Sequence, residues 1–275
     1  MLCADCVQKG HALFTCALCG ERALPLHEET TLRPRDLARQ ERRDKPYTFT
    51  DAWLYPFRGM GLFLFLAMLI SLPLVALLSY GGGLRGGLVV GGFWSLVVGL
   101  QFKIVRSTSD GDDELPDWPE YMDWRERFGD LGSYFVAGLW QVVPVALFVL
   151  AWPSGVLRPE PLLPYWAAFA FVWWISAAAF AFAFGATAIY GFGHAVRIDR
   201  HLRALRLTSG DGVAIANVLF AGGASLILVR MALEGVPIAG AAVAGAIGAY
   251  WTLVSAHFIG LLFRRHARAL SAVYF

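Results

Sequence analysis

Charge is scarce in this chain of 275 residues: Asp, Glu, Lys and Arg make up only 16% of it, against 57% hydrophobic residues. That leaves too little water-facing surface for a soluble globule of this size, and too little polarity for a disordered chain. Cysteine is equally scarce. All four cysteines fall within the first nineteen residues, which excludes a secreted disulfide scaffold. The long apolar runs hold no Asp or Glu at mid-depth, so the acid relay of a proton-coupled transporter is missing. Catalytic signatures are missing too: there is no G-x-S-x-G elbow, H-E-x-x-H pair or phosphate-binding G-x-x-x-x-G-K.

What is abundant is uninterrupted apolar chain. Residues Gly59 to Leu84, Gly86 to Phe102, Leu131 to Leu157, Pro161 to Val196, Gly212 to Val229 and Gly235 to Phe263 contain no Asp, Glu, Lys or Arg. A bilayer core of about 30 Å takes about 20 helical residues, and the most apolar parts of these runs fit that length. They are too long for barrel strands and lack β-type alternation. The sequence therefore predicts an all-α integral membrane protein with six transmembrane helices near 60–80, 84–105, 131–152, 164–190, 211–233 and 238–263. In this reading residues 1–25 form a zinc ribbon, 26–55 a charged linker and 56–275 the membrane domain. The first apolar run follows a charged segment of almost sixty residues, so it reads as a signal anchor rather than a cleavable signal peptide.

Basic residues orient the spans. Nine Lys and Arg precede the first helix, four lie between helices 2 and 3, four between helices 4 and 5, and three in the tail. The opposite loops carry only Arg85, Arg158 and Arg230. This bias predicts a multi-pass protein of the bacterial inner membrane with both termini cytoplasmic. Trp53, Tyr55, Trp118, Tyr121, Trp124, Tyr165 and Trp166 lie near expected span ends, where aromatic rings suit the headgroup level.

Cys3, Cys6, Cys16 and Cys19 form two C-x-x-C pairs, the second followed by Gly20. A two-residue spacer lets both sulfurs turn toward one ion, and Gly permits the positive φ of a tight knuckle. Four thiolates would close a tetrahedral, structural zinc site, one ion per chain, with no open position for catalysis. The alternatives are two disulfides or unrelated thiols, which a reducing cytoplasm disfavours. His11 and His27 flank the quartet, either as substitute ligands or as ordinary surface residues. The quartet resembles the short B-box-like Cys-rich heads found before bacterial membrane domains. In the linker, Arg33, Arg35, Arg39, Arg42, Arg43 and Lys45 suit anionic headgroups, while Glu28, Glu29 and Glu41 among them argue against nucleic acid.

Ser107 to Asp130 carries nine acidic residues and two basic ones. Its second half places Trp118, Tyr121, Trp124 and Phe128 at helical spacing, which suits an interfacial helix before helix 3. Asp110, Asp112 and Asp113 lack the ligand spacing of a calcium loop and read as a solvated run. Several short motifs lie along the chain: Leu115-Pro116-Asp117-Trp118, Gly129-Asp130-Leu131, Gly138-Leu139, Ser209-Gly210-Asp211, Tyr250, Ser255-Ala256-His257 and Gly260 to Arg264. Together they resemble an uncharacterised prokaryotic polytopic membrane family, similar in layout to Yip-type domains, over roughly residues 55 to 270. The resemblance implies a topology and no catalytic residues.

Inside the expected spans Gln101, Asn217 and His257 are the notable polar residues, with Asn217 and His257 a candidate interhelical pair. Gly83, Gly87 and Gly91, and Ala241 with Gly245 and Gly248, form small-residue faces that suit packing or oligomerisation. The sequence therefore favours a non-enzymatic protein of the lipid bilayer whose cytosolic zinc ribbon docks a protein partner or another copy. The rival is a transporter or channel for a small neutral or lipidic solute, using Asn217, His257 and Gly-broken helices. A solvent-connected polar cavity at mid-membrane depth separates the two.

Overall fold

The computed structural model describes residues 7–10, 13–16, 52–58, 60–79, 83–111, 124–151, 162–233 and 237–274. Near the N-terminus, strands β1 (Val7–Gly10) and β2 (Leu13–Cys16) pair antiparallel, with Val7 opposite Cys16 and Gly10 opposite Leu13. The rest is helical. A 3-10 turn, Tyr55–Phe57, leads into α1 (Met60–Ser79), followed by α2 (Gly83–Ser109), α3 (Trp124–Ala151), α4 (Leu162–Tyr190), α5 (Ile198–Ala232), α6 (Pro237–Arg265) and the short α7 (Ala267–Tyr274).

Among the described residues four segments are long and apolar enough to cross a membrane: Gly129–Leu150, Pro164–Tyr190, Ile198–Val229 and Val243–Arg265. A shorter apolar stretch, Gly61–Ser71, lies in α1. In hydrocarbon every backbone polar group needs an internal partner, which the helix supplies. The outer faces are apolar as well. Phe135, Leu139, Val142, Leu147 and Leu150 of α3 are exposed, as are Phe171 of α4 and Ile227, Leu228 and Met231 of α5. Such a belt on a water-soluble protein would drive aggregation, whereas acyl chains cover it at no cost. The protein is a helical, multi-pass membrane protein that fits lipid.

Neighbouring helices in sequence pack on one another from α1 to α6, and α6 returns to contact α1 and α2. The core lies between α2, α4 and α6, where Leu100, Phe102, Phe182, Phe184, Leu253, Ile259 and Phe263 are fully or almost fully buried. Glycine permits the closest approaches. A Cβ on Gly260 would lie 2.6 Å from Cβ of Thr108 and 3.0 Å from the Val105 carbonyl oxygen, so α6 and α2 touch backbone to side chain there. By contrast, a Cβ on Gly91 would meet nothing within 4 Å, so that member of the Gly83, Gly87, Gly91 face makes no close helix contact among the described residues.

Two helix limits differ from the sequence expectation. Helix α5 begins at Ile198 rather than near 211, and the Ser209-Gly210-Asp211 segment is an interior kink, with Ser209 at φ 28°. Positive φ is uncommon for a non-glycine residue, and here it bends the amphipathic first turns away from the apolar remainder. The aromatic segment from Trp124 onward is the start of α3 itself, not a separate interfacial helix, while residues 112–123 lie outside the described residues.

Candidate functional site

The candidate site is a partly open cavity of about 400 Å³ in the middle of the bundle. Its polar wall is Gln101 of α2, Gln141 of α3, and Thr252 and Ser255 of α6. Trp94, Tyr134, Phe180 and Trp251 supply an aromatic wall. No charged side chain lines it among the described residues. Gly248 leaves space on one wall, since the nearest atom to a Cβ there would be Cδ2 of Leu226, at 4.0 Å, whereas Gly222 and Gly223 let the Trp251 and Trp173 rings pack to within 2.7 and 2.8 Å of where a Cβ would stand. Thr252 and Ser255 spend their hydroxyls on helix carbonyls, those of Gly248 and Thr252 respectively. Gln101 donates through Nε2 to the Thr252 carbonyl oxygen at 3.4 Å. Gln141 makes no hydrogen bond among the described residues.

The two polar residues singled out in the sequence lie elsewhere and do not pair with each other. Asn217 is exposed and accepts a bond from the Trp174 indole, 2.7 Å. His257 is fully buried, with Nδ1 2.9 Å from the Thr108 hydroxyl and its ring stacked on Tyr55. Both partners come from segments that a hydropathy scan cannot align, so the pairing was not legible beforehand.

A second polar cluster lies where α7 packs on the ends of α4 and α6 and the start of α5. Nε2 of His201 faces the Ala195 carbonyl oxygen at 3.2 Å and so carries the proton; Nδ1 then accepts from the Tyr274 hydroxyl at 2.9 Å. The Trp140 indole donates to the same carbonyl at 2.6 Å, and the Arg200 guanidinium donates to the Tyr274 carbonyl. Tyr274 is fully buried and stacks on Tyr190, with centroids 5.4 Å apart. Burial, with the Tyr190 phenol beside it, raises the Tyr274 pKa above its usual value, against the opposing pull of Arg200. This cluster holds α7 onto α4, α5 and α6 and offers no free nucleophile.

Charged residues at the helix ends are similarly engaged. Arg106 donates to the Ala188 carbonyl at 2.5 Å and lies 3.7 Å from the Asp130 carboxylate, rather than merely reaching for the headgroups. Asp211, just past the kink, accepts from Arg265 at 3.2 Å and His266 at 2.8 Å, and so fastens α5 to the end of α6.

Cys3, Cys6 and Cys19, together with His11 and His27, lie outside the described residues, and Cys16 is described only as the end of β2. Among the described residues no group of three His, Cys, Asp or Glu is placed to hold a metal ion.

Fold and site together define a helical multi-pass membrane protein with an uncharged intramembrane cavity. No family model, curated protein or solved structure matches the chain.

Proposed function

We propose that this chain is a six-span, non-enzymatic protein of the inner membrane whose cytosolic zinc ribbon docks a partner or another copy. The observation that carries the zinc reading is the hairpin register. Val7, the residue after Cys6, sits opposite Cys16, and cross-strand Cα atoms lie about 4.5–5.5 Å apart. In sequence one C-x-x-C pair ends at the residue before β1 and the other begins at the last residue of β2, an order along the chain that would suit a four-thiolate ion. Cys3, Cys6, Cys16 and Cys19 would hold the zinc, which would order a head too small to own a core. Substituting Cys16→Ser and Cys19→Ser together should release the zinc and change the set of co-purifying proteins; unchanged zinc and an unchanged set would sink the reading.

Six spans and cytoplasmic termini are supported by the six long helices and by the basic residues at their inner ends. Reporter fusions near Thr48, Gly111, Arg203 and Ser271 should report cytoplasm, and those near Gly82, Arg158 and Gly235 the outside. A single inversion breaks the scheme.

The cavity favours a second reading, passage of a small neutral or lipidic solute. Aromatic and amide walls at mid-bundle suit such a molecule. Reconstituted liposomes that release no solute or lipid beyond empty controls would remove it.

A further inference from the structure

We propose that the cavity is a binding site for one uncharged, membrane-soluble molecule that presents an ester or hydroxyl group to Gln141. The inference rests on the solute reading only in using the same cavity; it requires binding, not passage.

The chemistry follows from what the walls offer. Gln141 brings an amide with two donors and one acceptor to the cavity, and no described protein group satisfies it. Gln141 is half-buried, and a purely hydrocarbon occupant covering its amide would take away solvent contact without supplying a hydrogen bond, which disfavours such an occupant. Gln101 already donates toward Thr252, which leaves its carbonyl oxygen as a second acceptor for a hydroxyl. An ionic occupant is worse still. No charged side chain lines the cavity among the described residues, so a buried phosphate or ammonium would lose its hydration without a counter-charge.

Size and shape restrict the class further. A volume of about 400 Å³ lies at the small end of ligand pockets and equals roughly a dozen water volumes. Trp94, Phe180 and Trp251 give the apolar body flat surfaces on which to lie. A medium-chain monoacylglycerol has the required parts: an apolar tail, an ester and hydroxyls, and no charge.

The test uses full-length protein in zwitterionic nanodiscs, with 1-monooctanoylglycerol as the neutral probe and 1-octanoyl lysophosphatidate as its anionic counterpart. Native mass spectrometry counts the adducts. The expected result is one monooctanoylglycerol per chain, with at least tenfold weaker binding in Gln141→Leu and in Gly248→Leu. The second variant keeps the finding interpretable, because the open space beside Gly248 lets a side chain fill the cavity without displacing backbone. Any lysophosphatidate adduct should be indifferent to both substitutions. Absence of a saturable monooctanoylglycerol adduct, or an adduct unaffected by both variants, overturns the proposal. Binding without liposome release removes only the passage reading, and release without Gln141-dependent binding removes only this one.

Discussion

Nδ1 of His257 lies 2.9 Å from the hydroxyl of Thr108, a bond between α6 and α2 across 149 residues of sequence. Tyr55 covers the same imidazole face to face, with centroids 3.8 Å apart and planes 8° from parallel. One buried side chain therefore joins the pre-membrane turn, the second helix and the sixth. The neighbouring Gly260 brings those helices close enough for the bond to form.

This geometry predicts a coupled pair. Thr108→Val and His257→Phe should each lower stability in mild detergent by about 1 kcal/mol, because each leaves a buried polar atom without the other. The double variant should cost clearly less than the two losses added, since it removes both polar groups while keeping a ring against Tyr55. Strict additivity in the unfolding midpoints would show that the bond contributes nothing.

Glycines separate into two classes. Gly260→Ala forces a methyl against Thr108 and the Val105 carbonyl, and should destabilise by about 1–3 kcal/mol. Gly91→Ala meets open space and should be neutral or slightly stabilising, since Ala is the better helix former. Thermal unfolding of both in one detergent checks the contrast; equal losses would contradict the packing described.

The apolar helices were legible because hydrocarbon imposes so simple a demand: about twenty residues without charge. The ends bearing Arg106 and Arg200 were not, because a charge there need not end a helix. Arg106 stays within α2 by bonding Ala188 and Asp130, and Arg200 stays within α5 by bonding Tyr274. Scanning for absent charge therefore stops short of both true ends. His257 and Asn217 were identifiable as polar, but partners depend on helix rotation, which composition does not encode. The glycines posed the same difficulty. Gly248 reads as a packing surface in sequence and lines a cavity in the fold, while Gly260, twelve residues further along the same helix, makes the close contact.

His194 gives a pH prediction. Burial, together with the Arg200 and Arg197 guanidiniums, holds its imidazole below the ordinary value of about 6.5. The unfolded chain then binds more protons than the folded one once pH falls below about 6.5, so stability drops through that window and is regained as pH rises. The His194 ring resonance should titrate with a midpoint below 6.5, and His194→Asn should flatten the loss of unfolding temperature on acidification. A midpoint at or above 6.5 would contradict the assignment.

The final prediction concerns the head. In the proposed four-thiolate site, zinc at neutral pH would contribute on the order of 10 kcal/mol to ordering a ribbon too small to bury a core of its own. Chelation should therefore unfold the region around the hairpin. The membrane helices should not respond, because their backbone bonds are internal and, among the described residues, their extensive packing is with one another. Purified protein under reducing conditions should carry one zinc per chain, lost on substituting Cys3, Cys6, Cys16 or Cys19, with helical circular dichroism retained. If no zinc is present and all four thiols alkylate freely, the quartet is not a metal site; if zinc removal also melts the helices, head and bundle fold as one unit.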